Sequence, residues 1–174
     1  MTDIYFQQNN PPDVNIVGET QVTTDGNSSM PAAYRAKARI YIVFQRSNNW
    51  RVIYSDDLYG AGATWQGDTV ALTNAGNPDI AYDENSNFAH LAYYYGSTIC
   101  YARSSDGFVT VKNAGDTTIT NGTNGTQVVG NVTTEQSPAI TIDKGATLRV
   151  TYKDNNGTLQ HKKSTDTGKT WTTV

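Results

Sequence analysis

Apolar and β-branched residues come in short runs of four to six. These are rich in Val, Ile, Thr and Tyr and are bounded by Asn, Gly, Asp and Ser. Nowhere do apolar positions recur at three-and-four spacing over three helical turns, so no helix longer than a turn or two is expected. Runs of this kind read as strands joined by tight turns. Two of them, residues 40–44 and 91–94, are nearly continuously apolar, which predicts central strands covered on both faces.

The runs repeat. Pro31-Ala32-Ala33-Tyr34 precedes runs at 40–44 and 51–55. Pro78-Asp79-Ile80-Ala81-Tyr82 precedes 89–93 and 99–104, and Pro138-Ala139-Ile140-Thr141-Ile142 precedes 148–152 and 159–164. From each proline to the serine closing the third run is 24, 26 and 26 residues. A fourth strand is expected after each serine, at Thr69-Val70-Ala71-Leu72-Thr73 in the first repeat and Phe108-Val109-Thr110-Val111-Lys112 in the second. Four-stranded repeats of this length predict three antiparallel β-propeller blades, with 1–14 as an N-terminal arm and 15–174 as the three-blade unit. Repeat starts lie 47 and then 60 residues apart, placing an insertion at 117–129. There Asn121-Gly122-Thr123-Asn124-Gly125 between β-formers reads either as a hairpin turn or as a disordered loop.

Composition narrows the class. Hydrophobic residues are 37% and charged residues 17% of the 174, but 11 Tyr, 3 Trp and 4 Phe argue for a packed core. A net charge of −3 with no basic block argues against a nucleic-acid partner. No apolar run is long enough for a transmembrane helix, and the first ten residues lack the basic start and apolar stretch of a signal peptide. A single cysteine, Cys100, allows neither an intrachain disulfide nor a cysteine-rich zinc site and reads as a core residue. His90 and His161, in separate runs without ligand spacing, read as structural, and no metal or cofactor is expected. Asp83-Glu84-Asn85-Ser86-Asn87 reads as a solvated turn rather than a calcium loop, and the glycosylation patterns at Asn121 and Asn131 as ordinary turn sequence.

Ser164-Thr165-Asp166-Thr167-Gly168-Lys169-Thr170-Trp171 fits S-x-D-x-G-x-T-W at every fixed position. It resembles the Asp-box of the sialidase (BNR-repeat) β-propellers. Aspartate can accept turn N–H groups, glycine can take a positive φ, and tryptophan can cover apolar surface beside the turn. A first copy has Ser55, Asp57, Gly62 and Trp65 with three extra residues in the middle. A second keeps Ser104, Asp106 and Thr110 in register, has Gly107 one place early, and carries Val111 for the tryptophan. The resemblance covers residues 20–174 and implies fold rather than chemistry, because in that family the box lies on the face away from the active site.

Three functions follow from this pattern. The resemblance raises sialidase-type hydrolysis, which needs an arginine cluster, a Tyr–Glu nucleophile pair and an acid/base Asp. The family's Phe/Tyr-Arg-Ile-Pro motif has no counterpart, and the few glutamates are Glu19, Glu84 and Glu135, so a non-catalytic protein is expected. A glycan-binding role, as in a soluble lectin, would use the loops between second and third strands. There Trp50 and Tyr95 either offer flat faces to a sugar, with Arg46 and Asn49 as polar partners, or cover the blade edges. A small, weakly charged chain rich in Asn, Thr, Gly and Tyr also suits a bacteriophage virion component, such as a tail, fibre or capsid decoration, made in the cytoplasm and released by lysis.

Three blades do not close a ring. Gly18-Glu19-Thr20-Gln21-Val22-Thr23 resembles the fourth-strand stretch Gly67-Asp68-Thr69-Val70, so it is expected to complete the last blade of a second chain. The expected assembly is a homodimer closing a six-bladed propeller, with other virion proteins as possible further partners.

Overall fold

The computed structural model describes residues 5–10, 15–21, 28–36, 39–47, 49–56, 65–132 and 137–174. Among them the only helix is one 3-10 turn, Gly122–Asn124. Three four-stranded antiparallel sheets follow one another along the chain. The first holds β3 (Ser28–Ala36), β4 (Arg39–Arg46), β5 (Asn49–Ser55) and β6 (Gln66–Leu72). The second holds β7 (Gly76–Asp83), β8 (Phe88–Tyr95), β9 (Thr98–Ser104) and β10 (Thr126–Val129). The third holds β11 (Ala139–Ile142), β12 (Leu148–Lys153), β13 (Leu159–Ser164) and β14 (Thr172–Thr173). Each is a meander whose first strand neighbours the first strand of the next sheet. This is the arrangement of propeller blades.

Ahead of the blades, β1 (Tyr5–Asn10) pairs with β2 (Asn15–Gln21) as a two-stranded hairpin. The 18–21 part of the segment expected to reach a second chain thus has one edge taken by β1, and residues 22–23 lie outside the described residues.

Alternation along the strands sends apolar side chains into the two gaps between blades. Tyr41, Val43, Trp50 and Val52 of the first blade meet Ala89, Leu91, Tyr93, Cys100 and Ala102 of the second. The opposite faces of β8 and β9, through Ala92, Ile99 and Tyr101, meet Ile140, Leu148, Val150 and Tyr152 of the third. The middle blade is therefore buried on both sides, as its continuous apolar run requires.

The second blade departs from the sequence expectation. Its fourth strand is β10, and the 108–112 segment contributes only a bridge between Lys112 and Arg103. The hairpin expected around 121–125 does not form; a hairpin turn lies just ahead of the insertion, at 113–117. Ile119 N donates to Val111 O, and Asn113 Oδ1 accepts the N–H groups of Gly115 and Thr117. An asparagine side chain that closes its own turn outcompetes the Asn-Gly pair eight residues on. At that pair Asn121 instead caps the 3-10 turn by accepting from Thr123 N. Gly122 allows close approach, since a Cβ there would lie 2.6 Å from Asn74 O. The insertion thus braces the first blade: Thr73 N donates to Thr120 O at 3.0 Å and Gly122 N to Thr73 O at 2.8 Å.

The Ser-x-Asp turns explain how neighbouring blades fit. In the third blade Ser164 Oγ donates to Asp166 Oδ1 (2.7 Å) and accepts from Gly168 N (2.9 Å), while Asp166 accepts Thr170 N and Oγ1 (2.9 and 2.6 Å). These bonds hold the Asp166 carboxyl down at about 2, the Thr170 hydroxyl contributing most. In the second blade Ser104, Asp106, Phe108 N and Thr110 N repeat the same contacts at 2.9 Å. Phe108 (φ +68°) therefore stands where the third blade has Gly168 (φ +88°), and Gly107 stands where it has Thr167.

The two substitutions match what each turn packs against. Tyr101, three residues before Ser104, puts its ring where a Cβ on Gly168 would come within 2.2 Å. The corresponding residue before Ser55 is the smaller Val52, and Phe108 fills that interblade cluster instead. Trp171 closes the third-blade turn, its Nε1 donating to Gly168 O (3.0 Å) and its ring edge-on to Tyr101 (5.6 Å). Val111, at the equivalent place, is buried. In the first blade Ser55 is buried and Trp65 covers Ile42, Phe44 and Ile53 on the far face, while Asp57 and Gly62 lie outside the described residues.

Candidate functional site

The residues singled out for sugar contact do not form one platform. Arg46 and Asn49 are brought together as a cross-strand pair at the β4–β5 hairpin, the Arg46 guanidinium lying over the Phe44 ring at 5.6 Å. Trp50 is fully buried, edge-on to Tyr93 at 5.7 Å, so it is a core residue and offers no face to a ligand. This corrects the stacking expectation. Its reason is strand parity: Trp50 shares a face with Val52, which points between the first two blades. Tyr95 is half-buried against the same cluster.

A cleft lies at the opposite ends of the blades, where first strands turn into second strands and third strands enter the Ser-x-Asp turns. Tyr34 of β3 is sandwiched between Tyr41 of β4 (ring centroids 4.9 Å) and Tyr82 of β7 (5.3 Å), with Phe108 edge-on at 5.8 Å. These tyrosines, with Asn87, Ser105, Asp106 and Gly107, line a hollow of about 170 Å³ between the first and second blades. Past Tyr82 and Asn87 it adjoins a wider hollow of about 470 Å³ bordered by Arg35 and Glu84. Sequence reasoning missed this place because its residues come from two blades and touch only through packing.

The lining is held in place locally. Asn87, at φ +61°, accepts from the Tyr82 hydroxyl at 2.6 Å, and its backbone N–H donates to Asp83 O. Asp83 accepts Asn85 N and the Ser86 hydroxyl within the same turn, so its oxygens serve the turn itself. Gly107 admits the Tyr41 hydroxyl, since a Cβ would sit 2.5 Å from it. Burial pushes the Tyr34 and Tyr82 hydroxyls up, so both stay protonated at physiological pH, the Tyr82 proton being given to Asn87. Asp106 is held below the ordinary carboxylate value despite the opposing effect of burial, through bonds from Thr110 and Ser104, and is ionised. The cleft therefore presents aromatic surface, phenolic hydroxyls, an amide and a carboxylate.

The other chemistry-bearing residues are structural in their surroundings. Burial pushes the Cys100 thiol up to about 12. His161 is exposed, with Nδ1 3.0 Å from Thr151 Oγ1. Among the described residues no three His, Cys, Asp or Glu side chains are grouped to hold a metal. His90 is buried with Nδ1 2.7 Å from the Tyr101 hydroxyl, and burial lowers its pKa to about 4.

His90 gives a pH prediction. The unfolded imidazole takes up its proton near 6.5 while the folded one resists until about 4. The unfolded chain therefore binds more protons across that window, and stability falls as pH drops through it, by roughly 3 kcal/mol in all. Urea unfolding at a series of pH values should show this slope in the wild type and a flatter one in His90→Phe. Parallel curves would remove His90 as the source.

No protein-family model matches the sequence, and no curated protein matches it. Solved structures do match the fold. One is the Hadza microbial sialidase Hz136, at 14% identity and TM-score 0.60 over 84% of this chain. A polysaccharide lyase, the PL25 ulvan lyase, matches at 10% identity and TM-score 0.63 over 95%. The endo-1,5-α-L-arabinanase from Thermotoga petrophila RKU-1 matches at 14% identity and TM-score 0.56 over 83%. This chain spans 37%, 47% and 42% of those three chains respectively, under half of each. At such identities the likeness is one of fold: the chain is a set of all-β, sialidase-like propeller blades.

Proposed function

We propose that the chain is a non-catalytic glycan-binding propeller unit whose ligand sits in the tyrosine-lined cleft between the first and second blades. The cleft itself carries the reading. A pyranose has a C–H face that packs on aromatic rings and a hydroxyl edge that suits neutral phenols, an amide and an ionised carboxylate. Asp106, the carboxylate that lines the inner hollow, is held below its ordinary value, against the effect of burial, by the Thr110 and Ser104 bonds and suits a hydrogen-bond acceptor for sugar hydroxyls.

The test is a glycan array probed with the wild type, Tyr82→Ala and Asn87→Ala. The expected result is a defined set of neutral glycans, with signal lost in both variants. Binding that survives both substitutions places the ligand elsewhere. Turnover of a fluorogenic sialoside, abolished by an arginine substitution, would replace this reading with the hydrolase one.

As the setting we propose a bacteriophage virion part, on the strength of the Asn-, Thr-, Gly- and Tyr-rich, weakly charged composition. Flanking genes encoding virion proteins are the expected finding. The homodimer closing a six-bladed ring stays an expectation of the sequence, and it would set the polar outer face of the third blade against the first blade of a second chain. Light scattering giving twice the 19.0 kDa chain mass would support it, and a stable monomer would refute it.

A further inference from the structure

The blades differ on the faces they turn away from one another. The first blade's far face is apolar, built on Ile42, Phe44 and Ile53. The third blade's β12 and β13 instead alternate, with Leu148, Val150 and Tyr152 buried toward the second blade and every outward side chain polar except Leu159 at the hairpin end. Strand register sets Thr141, Arg149, Lys163 and Thr172 in one row across all four strands, each exposed. Lys153 lies on the same face four residues beyond Arg149, about 13 Å along the strand.

Two features set this face apart from an ordinary solvated sheet. Arg149 and Lys163 are directly opposite each other, and like charges so placed work against the sheet. Among the described residues the only carboxylate within ion-pair distance of the row is Asp143, 3.8 Å from Arg149 and itself exposed. Charge is also unevenly shared along the chain. Residues 138–174 carry six Lys and Arg against three Asp, although the whole chain has a net charge of −3.

We propose that this outward face of the third blade binds a linear acidic polysaccharide. Arg149 and Lys163 take one carboxylate or sulfate group, Lys153 takes another further along the chain, and the threonine hydroxyls bond to the sugar. Adjacent cations that repel in the free protein are relieved by a shared anion. A nucleic acid fits less well, because Tyr152 and Trp171 pack toward the second blade and leave only the His161 ring, tied to Thr151, on the outer face. A second copy, the occupant that a closed six-bladed ring would place here, fits less well too, because the faces by which this chain's blades pack on one another are apolar whereas this one is polar except for Leu159. The proposal concerns a different face and ligand class from the cleft, and stands or falls separately.

The test is calorimetric titration with polygalacturonate and with heparin, at low and at physiological ionic strength. The full chain is compared with Arg149→Gln/Lys163→Gln and with the cleft variant Tyr82→Ala. The expected result is salt-sensitive binding of at least one polyanion, weakened at least about tenfold in the double variant and unchanged in Tyr82→Ala. The double variant should melt no lower than the wild type, since a like-charged pair has been removed, so lost binding is not lost folding. Four results would overturn the proposal: wild-type affinity in the double variant, no binding of either polymer, equal binding of neutral dextran, or equal binding of a single-stranded DNA oligomer. Dimerisation abolished by the double variant would also overturn it, by assigning the face to a second copy.

Discussion

Phe108→Ala is expected to lower stability by about 3–5 kcal/mol, the cost of removing a buried ring from a packed core. The ring is 2% exposed, sits edge-on to Tyr34 and Tyr41, and belongs to the cluster joining the first two blades. The backbone adds a finer expectation. Phe108 has φ +68°, a conformation that costs a residue with a Cβ roughly 1 kcal/mol or more. Alanine keeps that strain and loses the ring, whereas glycine loses the ring and relieves the strain. Chemical denaturation should therefore rank wild type above Phe108→Gly, and Phe108→Gly above Phe108→Ala. The reverse order of the two variants would mean that the turn does not hold this residue left-handed.

The second large effect lies at the other interblade gap. Gly168→Phe is expected to cost more than about 3 kcal/mol, combining overpacking with left-handed strain. The side chain would run into Tyr101, already 2.2 Å from where a Cβ would sit. Tyr101→Val alone should cost about 3 kcal/mol, because its buried ring contacts Trp171 and its hydroxyl meets His90. Together the two changes copy the first gap, where a turn phenylalanine, Phe108, and a third-strand valine, Val52, share one cluster, so the double variant should be about 2 kcal/mol better than the sum of the singles. Additive losses would show that the gaps do not exchange volume between the turn and the neighbouring third strand.

The Pro-headed runs and the Ser-x-Asp spacing locate nearly every blade strand, because each depends on local alternation and on turns whose bonds close within five residues. Asp143 and Asp154, for example, each accept the N–H groups two and four residues on. The fourth strand of the second blade was misplaced because 108–112 contains β-formers in the right register. That segment instead closes the Ser104 turn and then enters the hairpin at 113–117. Trp50 looked like a loop aromatic because it follows Asn48-Asn49. Its parity with Val52 was the available signal that it points inward.

The cleft was the least legible feature. Tyr34 and Tyr82 are 48 positions apart on different blades, and no local pattern joins them. Their stacking exists only because β3 and β7 lie side by side. Asn87 completes the lining from a left-handed turn position, where an asparagine reads as turn sequence and nothing more.

The location of the ligand is the claim on which the functional account turns, and amide chemical-shift mapping tests it most directly. The ¹⁵N-labelled chain is titrated with the strongest neutral glycan from the array. The account predicts shifts concentrated at Arg35, Tyr82, Asn87, Ser105 and Gly107 around the interblade cleft. Shifts concentrated instead at Arg46, Asn49, Tyr95 and Ser97, on the opposite hairpins, would contradict it.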